Sequence, residues 1–378
     1  MAVYLDYAAA TPVDNRILRA MRPYFHEEFF NPSAAYAAAR HVQATVEAAR
    51  TQVARVLGAR STEIVFTAGG TEANNLAIHG VMERFPGSKL VVSAVEHESV
   101  LALARAYPFT EAPVQPDGSI DLVALEGFID DETVLVSVMY ANNEVGTIEP
   151  IRNIAALIGR ARDARRHRGN TLPLYLHTDA TQAANYLDLH ASRLGVDLMT
   201  LNGGKIYGPK QTGVLYVRTG TPLAPLLAGG GQEGNLRSGT ENVPGIVGFS
   251  SALTIAQEMR GIEVQRLTGL QRQFFDLLEK KLPGVIINGS RKHRLPNNIH
   301  VTLCGHDNER ILMALDEAGI MAAAGSACAA SDEEPSHVLA AMGITAANAQ
   351  ASLRFTMGRG TKIRDIERTV DMLATLVA

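Results

Sequence analysis

The chain has 378 residues, 46% of them apolar and 20% charged, with a formal net charge of -4. This composition suits a globular protein long enough to bury its own core, and the slight acidity argues against a general nucleic-acid or membrane-surface binder. Two cysteines, Cys304 and Cys328, are too few for a disulfide framework and fit a reducing, cytoplasmic setting.

At the N-terminus, Asp6 arrives too soon for a secretory apolar segment, and no apolar run approaches a membrane span. The first residues, to about Asn15, read as extended and are expected to pack back onto the C-terminal part. Residues 36 to 57 place Val42, Val46, Ala49, Val53 and Val56 on one helical face. Strand candidates follow at Ile64 to Thr67, Leu90 to Ala94, Val134 to Val138, Leu174 to His177, Leu198 to Leu201 and Val214 to Val217. Their nearly continuous apolar character is that of strands covered on both faces. Between them, residues 151 to 168 form a second amphipathic helix, with Ile151, Ile154, Leu157 and Ile158 on its apolar face. Strands alternating with helices predict an α/β fold with a mostly parallel sheet. After about Gly245 the pattern changes to a long helix reaching Lys281, a strand from Ile299 to Leu303, a helix from Asn308 to Ala318 and a strand-like piece near Arg354 to Met357. These read as a smaller α+β domain. The expected division is 15–250 for the large domain and 1–14 plus 251–378 for the small one. A run of cations, Arg160, Arg162, Arg165, Arg166 and Arg168, reads as a solvated helix end, with a docking patch for an acidic partner or tRNA as the alternative.

Three segments carry chemistry. Ala68-Gly69-Gly70-Thr71-Glu72-Ala73-Asn74-Asn75 follows a strand and opens a helix. Glycines let a ligand approach the backbone, and helix N-terminal amides bind anions, so this is a phosphate cradle if it is not merely a capped turn. His177-Thr178-Asp179-Ala180-Thr181-Gln182 closes a strand at the end where open α/β sheets bind ligands. An aspartate there either caps a helix or faces a pyridine nitrogen, as a pyridoxal ring requires. Asn202-Gly203-Gly204-Lys205 follows the next strand. A lysine at that end of the sheet, desolvated or beside other cations, becomes a nucleophilic amine; the alternative is a surface lysine in a glycine turn. Gly325-Ser326-Ala327-Cys328-Ala329-Ala330-Ser331-Asp332 sets a cysteine among small residues on a loop, whereas the strand-like surroundings of Cys304 predict a structural role.

These segments, with Asn31-Pro32-Ser33, Glu96-His97, Asn142-Asn143-Glu144-Val145-Gly146 and Arg237-Ser238-Gly239-Thr240, occur in an order that resembles the cysteine desulfurases of the class V aminotransferase family, in the branch with a flexible cysteine loop. The resemblance spans Leu5 to Phe355. It implies the pyridoxal-phosphate fold type I, with a seven-stranded, mostly parallel sheet in the large domain. It also implies pyridoxal 5'-phosphate held on Lys205, with His97 stacked on its ring and taking part in proton transfers. Asp179 would pair with the ring nitrogen, Asn143 and Gln182 would contact the ring and its phenolic oxygen, and Gly70, Thr71, Asn202 and Gly204 would surround the phosphate. Thr240 would reach the phosphate from the other subunit of a homodimer. Arg354, assisted by Asn31, would hold the carboxylate of L-cysteine. Cys328 would take the sulfur as a persulfide, leaving L-alanine, and could transiently ligate an iron–sulfur cluster with a partner. No other metal site, no membrane association and no direct nucleic-acid binding is expected.

The chain departs from its relatives where most carry serine and histidine, at Asn202 and Gly204. The missing side-chain donor at 204 predicts weaker cofactor retention. Relatives that serve an iron–sulfur scaffold continue in a C-terminal tail beyond the point matching Ala378, so both a scaffold and a tRNA-thiolating enzyme stand as sulfur acceptors. Among other readings, a plain aminotransferase has no use for Cys328, a selenocysteine lyase would survive its loss, and a non-catalytic relative would not need Lys205.

Overall fold

In the computed structural model, residues 2–325 and 335–378 are described. Among them the strands are, in chain order, β1 (Val3–Tyr4), β2 (Ile64–Thr67), β3 (Lys89–Ser93), β4 (Phe109–Ala112), β5 (Thr133–Ser137), β6 (Tyr175–Asp179), β7 (Leu198–Asn202), β8 (Gly213–Val217), β9 (Ile286–Ile287), β10 (Asn298–Thr302), β11 (Ile320–Met321) and β12 (Ser352–Thr356). Seven of them form the central sheet in the order β2-β8-β7-β6-β5-β3-β4. All its pairings are parallel except those of β8, which runs against both neighbours.

Both faces of this sheet are covered, which explains why its strands carry apolar runs without alternation. Phe66, Val91, Leu176, Met199 and Val214 point into one core, against Val42, Val46 and Val53 of helix Ala37–Leu57 and Ile151, Ile154, Leu157 and Ile158 of helix Ile151–His167. Their chain neighbours Val65, Val92, Leu198 and Leu215 point the other way, against Leu76 and Ile78 of helix Gly70–Met82. The expected α/β fold with a mostly parallel sheet is therefore present. β4 escaped sequence reading because it is a short edge strand with three of its four residues partly or fully exposed, so burial imposes no apolar run on it.

Helix Val243–Lys281 runs unbroken for 39 residues and serves two cores. Val243, Ile246, Phe249, Leu253 and Ala256 pack in the first, while Leu267, Phe274 and Leu278 pack in a second with Ile299, Val301, Leu353, Phe355 and Val370. The boundary expected at 250/251 thus falls inside a helix, and the change of core lies between Ala256 and Leu267. The second core is roofed by the antiparallel sheet β12-β10-β9. The N-terminal segment joins it: β1 pairs in parallel with β11, Leu5 is fully buried and Asp6 bridges to Thr356.

The arginine run is in large part the solvated helix end expected, with Arg160, Arg166 and Arg168 exposed. Arg165 is buried and donates to the Asp130 carbonyl; Arg162 pairs with Asp197 and donates to the Leu174 carbonyl at 2.7 Å; Arg160 pairs with Glu126 at 3.3 Å and Arg168 with Asp131 at 2.5 Å. Acidic partners from neighbouring loops neutralise the run, which leaves little free positive charge for a docking patch. No helix among the described residues is long and apolar enough to cross a membrane.

Candidate active site

The site lies at the C-terminal ends of β2, β6 and β7, where the N-terminal segment crosses them. After β2 the backbone turns at Gly69, whose φ of 139° is open only to glycine, and a Cβ on the facing Gly213 would sit 2.7 Å from the Gly69 backbone. This close passage brings the first amides of helix Gly70–Met82 beside Asn202, whose Nδ2 lies 3.3 Å from the place a Gly70 Cβ would take. At the end of β7 the side chain of Asn202 accepts the Gly204 N–H at 2.9 Å and starts the 3-10 turn Gly203–Lys205. The Gly204 amide is thereby spent on Asn202. Lys205 Nζ donates to the Ala9 carbonyl at 2.5 Å, and its own carbonyl accepts from Asn185 at 2.7 Å.

Asp179 ends β6. Its Oδ1 accepts the Thr181 N–H at 2.9 Å and its Oδ2 accepts Asn74 Nδ2 at 2.7 Å. Beneath it, His177 is buried between Ser137 Oγ at 2.8 Å and Thr200 Oγ1 at 3.1 Å, and burial pushes its pKa down to about 4. It is a neutral structural group at physiological pH. Gln182 donates to the Ala8 carbonyl at 3.0 Å. Arg354, on β12, reaches in from the second core. It is 1% exposed, pairs with Asp6 at 2.8 Å and donates to the Asn143 carbonyl at 3.1 Å.

His97 caps helix Glu98–Ala104, with Nδ1 accepting the Ser99 N–H at 3.1 Å. Behind it, Glu96 is buried and accepts the Met139 N–H at 2.6 Å; burial, offset in part by that bond, holds its pKa well above the carboxylate range. Nearby Glu149 accepts the Ile120 N–H at 2.9 Å, and burial raises it to about 8. For an acid raised in the folded state, the native protein holds more protons than the unfolded chain between about pH 4.5 and 8, so stability falls as pH rises through that window. Glu149→Gln keeps the acceptor for Ile120 and removes the ionisation. It is expected to melt several degrees above the parent at pH 8, with the gap closing toward pH 5 in parallel calorimetric scans.

One cavity of about 180 Å3 is lined by Gly70, Thr71, Asn74, His97, Ser99, Asn143, Asp179, Thr181, Gln182, Asn202, Lys205 and Arg354. It adjoins a wider cleft that shares Gly70, Thr71, Asn202 and Lys205 and adds Gly204 and Lys210. Of the residues expected to form the site, Asn31 and Thr240 line neither. Both are exposed; Asn31 Oδ1 accepts the Ser33 N–H at 2.9 Å, and Thr240 follows Arg237, which pairs with Glu72 at 2.9 Å. Cys328 lies outside the described residues. Cys304 is exposed past the end of β10 rather than buried in it, 3.7 Å from Asn348 Oδ1. Its apolar neighbours Val301 and Leu303 face the core, but the strand ends before it. Among the described residues no group of histidine, cysteine and carboxylate side chains could hold a metal ion. Sequence reading assigned no role to Asn74, Ser99, Lys210 or the carbonyls of Ala8 and Ala9. A buried asparagine near the start of helix Gly70–Met82 was the one signal available.

A lysine on a glycine turn, an aspartate closing the neighbouring strand and a glycine-led helix opposite define the class. Residues 3–369 match the family model described as aminotransferase class-V. The chain is 40% identical over 382 residues to cysteine desulfurase IscS of Dictyoglomus turgidum, covering 99% of this chain and 94% of that one. It is 39% identical to cysteine desulfurase IscS 1 of Archaeoglobus fulgidus, with 99% and 96% covered. Among solved structures, a NifS-like protein superposes with a TM-score of 0.91 at 30% identity, covering 100% of this chain and 99% of that one. A structure described as SspA in complex with cysteine superposes with a TM-score of 0.79 at 33% identity over 94% and 98% of the two chains. The chain belongs to the class V aminotransferase family and, within it, to the cysteine desulfurases.

Proposed function

We infer that this enzyme removes the sulfur of L-cysteine, releasing L-alanine and leaving a persulfide on Cys328 for an acceptor protein. The observation that carries the reading is that one cavity gathers Lys205, Asp179, His97 and Arg354 from four separate elements. The cavity suits pyridoxal 5'-phosphate. Thr181 Oγ1 and Arg354 Nε, both on lining residues, are buried polar atoms without a protein partner, as a site built for a polar ligand requires. When bound, that cofactor supplies an electron sink for the pair left at the substrate α-carbon. Gly70, Thr71 and Asn202 would hold its phosphate, Asp179 its ring nitrogen, Asn143 and Gln182 its ring substituents, and Lys205 would carry it covalently. Arg354 would orient the substrate carboxylate. Lys205 Nζ would take the α-proton and return it. The Cys328 thiolate would then attack the substrate sulfur, forming an S–S bond as the Cβ–S bond breaks. Cysteine and the Cys328 thiol thus become alanine and a Cys328 persulfide, with atoms and electrons in balance.

Incubating the cofactor-loaded protein with L-cysteine and a thiol reductant tests this. Sulfide and alanine should appear in equal amounts; absence of both overturns the reading.

The phosphate side carries two cations, Lys205 and Lys210, and Lys210 Nζ donates to the Thr11 carbonyl at 3.3 Å. A Cβ on Gly204 would meet Asn202 Oδ1 at 3.4 Å and Lys210 Cγ at 3.5 Å, ordinary contacts, so a side chain fits there. With no donor at 204, Lys210 supplies charge to the phosphate. Gly204→His should slow cofactor release by about tenfold or more, and Lys210→Gln should speed it similarly, each change being worth roughly 1.5–3 kcal/mol. Stopped-flow or gel-filtration measurement of cofactor loss decides; unchanged rates in both variants contradict this assignment.

The remaining parts of the reading are a homodimer in which Thr240 reaches the other subunit's phosphate, Asn31 assisting Arg354 with the substrate carboxylate, a cytoplasmic setting, and an acceptor that is either an iron–sulfur scaffold or a tRNA-thiolating enzyme. The two-domain division belongs with them, and the change of core within helix Val243–Lys281 supports a boundary at 257–266.

A further inference from the structure

Asn74 lies near the start of helix Gly70–Met82 and is 1% exposed. Its Nδ2 donates to Asp179 Oδ2 at 2.7 Å and to Ser99 Oγ at 2.8 Å. An amide nitrogen has two hydrogens, and both are used. The reversed amide would set its oxygen against the Asp179 carboxylate, so the direction is fixed by charge. Ser99 Oγ, having accepted from Asn74, keeps one proton to give, and His97 Nδ1 lies 2.9 Å away. The same Nδ1 accepts the Ser99 N–H at 3.1 Å. Asn75 Nδ2 donates to the Ser99 carbonyl at 3.0 Å and holds that residue in place. The Ser99 N–H makes Nδ1 an acceptor, so the Ser99 hydroxyl can only donate to it, while Asn74 holds that hydroxyl with one hydrogen and Asp179 with the other.

We propose that Asn74 is a positioning residue that, by holding the Ser99 hydroxyl against Nδ1, locks His97 as the Nε2–H tautomer and at the same time holds Asp179 through Oδ2. The proposal rests on the reading of Asp179 as the partner of the cofactor's ring nitrogen and His97 as the group stacked on that ring. Its consequence is that His97 Nε2 is a donor rather than an acceptor before substrate arrives. A single buried amide coordinates the hydrogen-bonding state of both groups, so neither can change without disturbing the other.

Nitrogen-15 NMR of histidine-labelled protein, with and without pyridoxal 5'-phosphate, reads the tautomer directly, and His97→Gln assigns the resonance. The wild type should show His97 as Nε2–H alone. Ser99→Ala and Asn74→Leu leave the Ser99 N–H bond to Nδ1 but remove or release the hydroxyl bond, so each should let a measurable minority of the Nδ1–H form appear, and Ser99→Thr should restore the single form. In the loaded enzyme Asn74→Leu should lower kcat by about tenfold to a hundredfold while KM for cysteine moves less than about threefold. A single tautomer in all variants, or a mixture in the wild type, overturns the proposal. Ser99→Ala keeps the result decisive if Asn74→Leu does not fold. Inactivity of the wild type toward cysteine would sink the functional reading alone, because the tautomer pattern is measured without turnover.

Discussion

Replacing Lys205 with alanine is expected to lower alanine release from L-cysteine by at least about ten-thousandfold, because the variant loses both the covalent anchor of the cofactor and the group that moves the α-proton. The fold should survive. The 3-10 turn is closed by Ile206 N–H donating to the Gly203 carbonyl at 3.1 Å, and the Lys205 carbonyl keeps its bond from Asn185 at 2.7 Å. Cofactor should still enter the cavity, since Asn202, Thr71 and the helix amides are untouched. Borohydride reduction followed by peptide mapping separates the cases. Cofactor mass should appear on the Lys205 peptide of the wild type and on no peptide of the variant. Residual activity within about a hundredfold of wild type would mean that another base serves, and Lys210 would be the first to test.

Arg354 carries the second large effect. Its guanidinium is almost fully buried, one terminal nitrogen is committed to Asp6 and the other to the Asn143 carbonyl, and Nε has no protein partner. A planar fork can donate two parallel bonds to a carboxylate while a lysine cannot. Arg354→Lys should therefore cut kcat/KM for L-cysteine by about a hundredfold, mainly through KM. L-Cysteine methyl ester, which lacks the carboxylate charge, should lose far less. Equal losses for both substrates would show that Arg354 supports the fold and not the substrate. Arg354→Leu should also destabilise the protein by on the order of 3 kcal/mol, because it leaves Asp6 without its partner beside a closed core.

How much of this was legible in the sequence depended on whether the reason for a residue was local. The central strands declared themselves because cover on both faces demands apolar runs such as Leu198 to Leu201. Lys205 and Asp179 were legible because each follows a strand at the ligand end of the sheet. Edge strand β4 and the exposed Cys304 were not, since at an edge or a strand end the same residue types carry no burial signal. The arginine run was legible as a helix end but its partners were not: the Asp130 carbonyl and the carboxylates of Asp131, Glu126 and Asp197 come from other elements far off in sequence. The Asn74 to Ser99 link joins helices 25 residues apart and meets Asp179 a further 80 residues along, so only the folded chain brings the three together.

Mass spectrometry of the cofactor-loaded protein after a single turnover with L-cysteine, in the absence of reductant, tests the central claim most directly. The account predicts one added sulfur on the peptide carrying Cys328, one equivalent of alanine released, and loss of the added sulfur in Cys328→Ala. Sulfur found on Cys304 instead, or no sulfur retained while Cys328→Ala releases alanine as fast as the wild type, would contradict it.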